Sequence, residues 1–178
     1  VDINTGDLVK RLRAEAVGPM ASRGWRAAAG QWNATTRVAS AALTVARRLP
    51  DPVVLVPNVL ARRAGDEEVV PLWSPELPGG GRPRPQGRAP WALETGGRGQ
   101  DLREVVYFSA CVGTLFGPGD DGPGVRTAFL SLCRRAGVVL VAPGDLPGLC
   151  CGTPWRSKGM LEGAKTMEVR VAASLWEA

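Results

Sequence analysis

The chain has 178 residues, 44% apolar and 22% charged, enough for one cored domain or one domain with a substantial appendage. It carries a net charge of +5 and no histidine, which excludes Ser-His-Asp and Cys-His catalysis and every His-ligated metal site. No window approaches the roughly 18 uninterrupted apolar residues of a membrane helix, so no membrane span is expected.

Residues 1–64 read as a helical segment. Thr5 or Asp7 caps a first helix through Leu8, Leu12 and Ala16, stopped by Gly18-Pro19. A longer Ala-rich pattern predicts one helix from Ser22 to Leu49, ended by Pro50-Asp51-Pro52. Val53 to Arg63 is apolar enough for a further short helix despite Pro57. Residues 65–103 form a Pro/Gly/Arg-rich linker or arm, with Trp73 and Trp91 as pinning points and too little apolar surface to fold alone.

Residues 104–178 change to an α/β pattern. Val105-Val106-Tyr107-Phe108 predicts a strand buried on both faces. Asp120-Asp121-Gly122-Pro123 supplies a cap and a first-turn proline for a helix carrying Val125, Phe129, Leu132, Cys133 and Ala136 on one face, and Gly137 ends it. Val138 to Val141 is a second buried strand, and a helix from Lys158 to Trp176 is expected to cover the sheet. The expected fold is thus an α/β C-terminal half, a parallel βαβ unit with a covering helix, preceded by an α-helical segment.

The chemistry rests on cysteine. Cys111 follows the first strand, and Cys150 and Cys151 follow the second after a Pro/Gly loop. Parallel strands present their carboxyl ends on one edge, where ligands of open α/β sheets bind, so these three thiols are expected to converge. Cys133, beside Phe129 and Leu132 on a helix face, reads as a small buried hydrophobe. The close C-x-x-C pairs of a zinc ribbon are missing, and the pattern favours a thiolate-ligated iron–sulfur cluster. The basic residues are scattered, and one Tyr and three Phe offer little to stack on bases, so no nucleic-acid partner is expected.

The run Val-Val-Tyr-Phe-Ser-Ala-Cys-Val-Gly from Val105 and Leu-Cys-Cys-Gly-Thr-Pro-Trp-Arg-Ser-Lys-Gly-Met from Leu149 resembles the cysteine-rich CCG domain. That domain occurs in heterodisulfide reductase, in the iron–sulfur subunits of glycolate oxidase and anaerobic glycerol-3-phosphate dehydrogenase, and in bacterial fusions of D-lactate-dehydrogenase type. Val1 to Gly6, the helical stretch and the segment from Trp73 are similar to the region following the ferredoxin-like module of those fusions.

The resemblance implies that Cys111, Cys150 and Cys151 are metal ligands of a [4Fe–4S]-type cluster. It also implies a parent oxidoreductase in which FAD oxidises a 2-hydroxy acid such as D-lactate or glycolate. The partners would be the flavin and ferredoxin-like domains and a downstream electron acceptor, in the cytoplasm or at the inner face of the membrane. The family motif closes with a further C-x-x-C. Only 27 residues follow Cys151, none of them Cys, so the expectation is an excised piece with an incomplete site and no turnover of its own. Two rivals stand beside it: a thiol/disulfide redox module in which Cys150-Cys151 reacts with Cys111, and a docking module using the arm from Arg82 to Arg98. The 3 glycines at Gly79-Gly80-Gly81 are no phosphate loop, since they neither follow a strand nor open a helix.

Overall fold

A computed structural model describes residues 4–64, 72–89, 103–120 and 122–178. The architecture is mixed helix and sheet, with helix dominant. Helix α1 spans Thr5–Ala16. Its cap is Asn4, whose side-chain oxygen accepts from the Asp7 N–H at 3.2 Å, in place of the expected Thr5 or Asp7. Gly18-Pro19 does end α1, but Pro19 also opens α2 (Pro19–Gly30), where the missing N–H costs nothing at a first turn.

The single helix expected from Ser22 to Leu49 is two helices. After α2 the backbone breaks at Gln31 (φ −122°, ψ 38°), and α3 runs Trp32–Ala46. The break brings Ala29 and Trp32 together into the same buried cluster. Helix α4 (Asp51–Ala64) contains Pro57 in its interior, and its Leu55, Val56 and Leu60 remain exposed.

The arm is more structured than a linker over residues 72–89. Trp73 is buried, and its N–H donates to Asn58 Oδ1 at 2.9 Å. Gly80 N–H donates to Thr44 Oγ1, Gly81 N–H to the Thr114 carbonyl, and Ser40 Oγ to the Gly81 carbonyl. The arm ends in strand β1 (Gly87–Arg88), antiparallel to β3. Its length is ordered because its backbone polar groups find partners on α3 and on the loop after β2. Trp91 lies outside the described residues.

Strand β2 (Arg103–Val106) pairs in parallel with β3 (Val138–Ala142), Val105 opposite Leu140, and the sheet order is β1-β3-β2. The central β3 buries Val139, Leu140 and Ala142. Among the described residues β2 lies at the edge of the sheet, and Val105 and Val106 are exposed rather than buried on both faces. Past β2, a short helix α5 (Val112–Leu115) follows Cys111. Helix α6 (Gly124–Arg135) has no side-chain cap. Asp120 instead pairs with Arg47 at 3.2 Å, and Asp121 lies outside the described residues. Gly137, at φ +68°, terminates this helix as expected.

After β3 come a 3-10 turn (Leu146–Gly148), α7 (Thr153–Ser157) and α8 (Leu161–Glu177). The expected covering helix packs chiefly against α2 and α7, not the sheet. Its buried Ala164 and Met167 join Ala29, Trp32, Cys150, Trp155 and Met160 in one core, so the N-terminal helices and the segment after β3 share an interior. A second small cluster holds Ala89, Cys133 and Leu140. Cys133 is thus the buried hydrophobe its helical position predicts, although Val125 and Leu132 on the same helix are exposed.

Candidate functional site

Cys111 and Cys150 meet. Their sulfurs lie 3.3 Å apart, although the residues are 39 positions apart in sequence. Each belongs to a segment following the carboxyl end of a strand, as the parallel pairing of β2 and β3 requires. Cys150 is almost fully buried and Cys111 partly so. Cys151 is exposed and donates from its sulfur to Thr153 Oγ1 at 3.2 Å, while still interacting with Cys111 and Cys150. The convergence expected of three thiols is therefore realised as a close pair with an exposed neighbour.

Beneath the pair lies Arg84, 4% exposed. Its Nη1 donates to the Ser109 carbonyl at 3.2 Å, and its Nη2 to the carbonyls of Pro147 (2.8 Å) and Leu149 (2.6 Å). These carbonyls sit just upstream of the two cysteines. Burial lowers the Arg84 pKa, while negative charge on Cys111 and Cys150 opposes the fall.

A tryptophan group also stands near the pair. Trp155 is fully buried, its ring 4.6 Å from that of Trp32 and edge-on to Trp25 at 5.9 Å, and its Nε1 donates to the Trp25 carbonyl at 2.8 Å. Trp32 and Cys150 share the same buried cluster, and Cys111 packs against it. Trp32 also lines an apolar cavity of about 840 Å³, together with Trp25, Leu43, Trp73, Leu77 and Phe116.

The pair is electrostatically asymmetric. The hydrogen bond from Cys150 brings Cys111 down from an ordinary 9.0 to about 6. Burial opposes this, and the Arg84 charge and the nearby Trp32 indole N–H assist it. Cys150, giving its proton toward Cys111 and buried, is pushed up. For Cys151, burial acts upward, but its side-chain and backbone hydrogen bonding with Thr153 outweighs it and the thiol lies below its usual value.

Among the described residues, three buried polar atoms have no hydrogen-bond partner of normal geometry: Trp32 Nε1, Ser109 Oγ and Thr114 Oγ1. All belong to residues of the cysteine surroundings: Trp32 beside Cys111, Ser109 two residues before it, Thr114 three after it. Of these the Trp32 N–H acts on Cys111, and a buried donor at a thiol near a buried cation suits an anionic sulfur-bearing group such as an iron–sulfur cluster. Among the described residues no three His, Cys, Asp or Glu side chains stand as a ready metal-ligating set. Cys111 and Cys150 fit such a group, and Cys151 would have to leave Thr153 to join them.

Sequence reasoning locates the cysteines but misses Arg84, Trp32 and Thr114. Nothing in the Pro/Gly pattern distinguishes Arg84 from Arg82 or Arg88; only the folded arm does. Among the described residues no helix is long and apolar enough to cross a membrane. Comparison of the chain with protein-family models, with curated proteins and with solved structures finds no match to any of them.

Proposed function

We propose that this chain is the electron-transfer region of an FAD-linked, iron–sulfur oxidoreductase that oxidises a 2-hydroxy acid such as D-lactate or glycolate. The observation that supports this reading is the meeting of Cys111 and Cys150 near a buried arginine and the buried indole N–H of Trp32. In the proposal, Cys111, Cys150 and Cys151 are the thiolate ligands of a [4Fe–4S]-type cluster, Cys151 joining by leaving Thr153. When bound, such a cluster passes electrons one at a time between a flavin and an acceptor.

The chain's own residues do the rest. Arg84 offsets negative charge on sulfur, Trp32 and Thr114 offer N–H and O–H donors, and Trp155 excludes water from the inner side. FAD belongs to the parent protein, whose flavin and ferredoxin-like domains are the proposed partners along with a downstream acceptor. The proposed location is the cytoplasm or the inner face of the membrane. A second reading, a dithiol/disulfide module without a cluster, is favoured by the 3.3 Å sulfur separation and the lowered Cys111 thiol.

Anaerobic reconstitution with iron and sulfide, read by visible absorption and electron paramagnetic resonance, separates the two. The chain would be tested alone and joined to a downstream segment bearing a C-x-x-C. The expected result is a cluster signal lost in Cys111→Ser and Cys150→Ser. A signal that survives both substitutions overturns the ligand assignment, and no iron uptake by any form leaves the dithiol reading.

A further inference from the structure

We propose that Arg84 is the positioning residue of the thiol site. Its guanidinium ties together the backbones leading into Cys111 and Cys150 and supplies the positive charge that anionic sulfur requires there. The inference rests on the reading that Cys111 and Cys150 are the working pair, whether in a cluster or as a dithiol.

Two observations carry it. The first is connectivity. One planar fork reaches Ser109, two residues before Cys111, and both Pro147 and Leu149, the latter directly before Cys150. The segments bearing the cysteines share no strand pairing this far beyond β2 and β3, so the guanidinium bridges them where the sheet no longer does. A lysine ammonium has no such rigid fork.

The second is charge. Arg84 is 4% exposed, and among the described residues no carboxylate pairs with it. A buried charge facing only carbonyl dipoles is under-compensated. The sulfurs of Cys111 and Cys150, which can carry negative charge, both interact electrostatically with the guanidinium. Arg126 is the natural contrast. It too donates to arm carbonyls, those of Arg82 and Pro83, and to that of Gly113, but it does so near the surface, where solvent screens its charge. Arg126 fastens the arm; Arg84 fastens it and charges the site.

The test is the dithiol/disulfide equilibrium of the full chain at pH 7 in glutathione buffers, with peptide mapping to assign the Cys111–Cys150 bond. At pH 7 the reduced pair is one thiolate and one thiol, so oxidation removes two electrons and one proton as its S–S bond forms. The S–S bond of glutathione disulfide breaks, and two glutathione thiols take up those electrons with that proton and one more from solvent. The disulfide is neutral, so losing the cation destabilises only the reduced, anionic state.

Arg84→Gln, which keeps donors and loses charge, is expected to shift the equilibrium about tenfold toward disulfide, ~30 mV for this two-electron couple. Arg84→Lys, which keeps charge and loses the fork, is expected within about threefold of wild type, as is Arg126→Gln. The proposal is overturned if Arg84→Gln matches wild type, or if Arg84→Lys or Arg126→Gln shifts as far as Arg84→Gln does. Should Arg84→Gln fail to fold by circular dichroism, Arg84→Lys decides alone: a value near wild type supports the charge role and a tenfold shift ends it. A wild-type chain that forms no Cys111–Cys150 bond and takes up no iron refutes the underlying thiol reading instead.

Discussion

Gly163 of α8 lies directly against the indole of Trp155, so close that a methyl group at its Cα would overlap the ring. The ring cannot retreat easily: it is fully buried, packed beside Trp32 and held by its hydrogen bond to the Trp25 carbonyl. Gly163→Ala is therefore expected to destabilise the fold by about 1–3 kcal/mol, even though alanine is the better helix former by about 1 kcal/mol. Urea unfolding followed by tryptophan fluorescence checks this, and unchanged stability would mean that the ring gives way.

A different glycine limits the Cys-Cys-Gly turn. Gly152 sits at φ +83°, and a Cβ there would meet only ordinary van der Waals neighbours, so its requirement is conformational rather than steric. Gly152→Ala is expected to cost about 1–2 kcal/mol. Gly152→Asn should cost less, because asparagine tolerates this region. Equal losses from the two, measured by thermal unfolding, would point to crowding instead.

The lowered Cys111 thiol has a pH signature. Its alkylation by iodoacetamide is expected to reach half its maximal rate near pH 6, and Cys150→Ala should move that midpoint back toward the ordinary 9.0. The same shift enters stability. A thiol depressed in the folded state contributes stability that is complete above its unfolded value and lost as pH falls through its folded one, so stability rises from about pH 6 toward 9. Cys150, pushed up, has the opposite sign: its contribution is complete below the unfolded value and declines as pH rises above it. Denaturation midpoints across pH 5–10 should peak between these limits. A flat profile would contradict the asymmetric pair.

By contrast, the ion pair between Arg156 and Glu168 at 2.9 Å is more than half exposed at both ends. Glu168→Ala is expected to change stability by no more than about 0.5 kcal/mol. A loss well above that would show that the pair belongs to a larger network.

Much of the fold is legible where local chemistry decides it. Gly18-Pro19 and Gly137 end their helices because backbone geometry leaves no alternative, and Val138 to Val141 is recognisable as a strand, whereas α3 stops at Ala46, short of Pro50. The rest is tertiary. The pattern from Ser22 to Leu49 is helical on both sides of Gln31, and only packing of Ala29 and Trp32 into one cluster shows why it breaks. The Val-rich run at Val105 reads as central, yet sheet order among the described residues places it at an edge. The meeting of Cys111 and Cys150 follows from parallel topology, but the exposed position of Cys151, bonded to a hydroxyl two residues on, does not. Arg84 is invisible in the sequence because its partners are backbone carbonyls, which leave no mark there.

The hydrogen bond from Trp155 to Trp25 joins positions 130 apart, and Arg170 reaches the Ala29 carbonyl across 141. Contacts of such sequence separation require long loops to close before they are rewarded, which slows their formation. Until then Cys111, Cys133, Cys150 and Cys151 are four separate, accessible thiols on an open chain. Refolding in air therefore invites mispaired products, and a reducing medium until compaction is the condition under which yield should be highest.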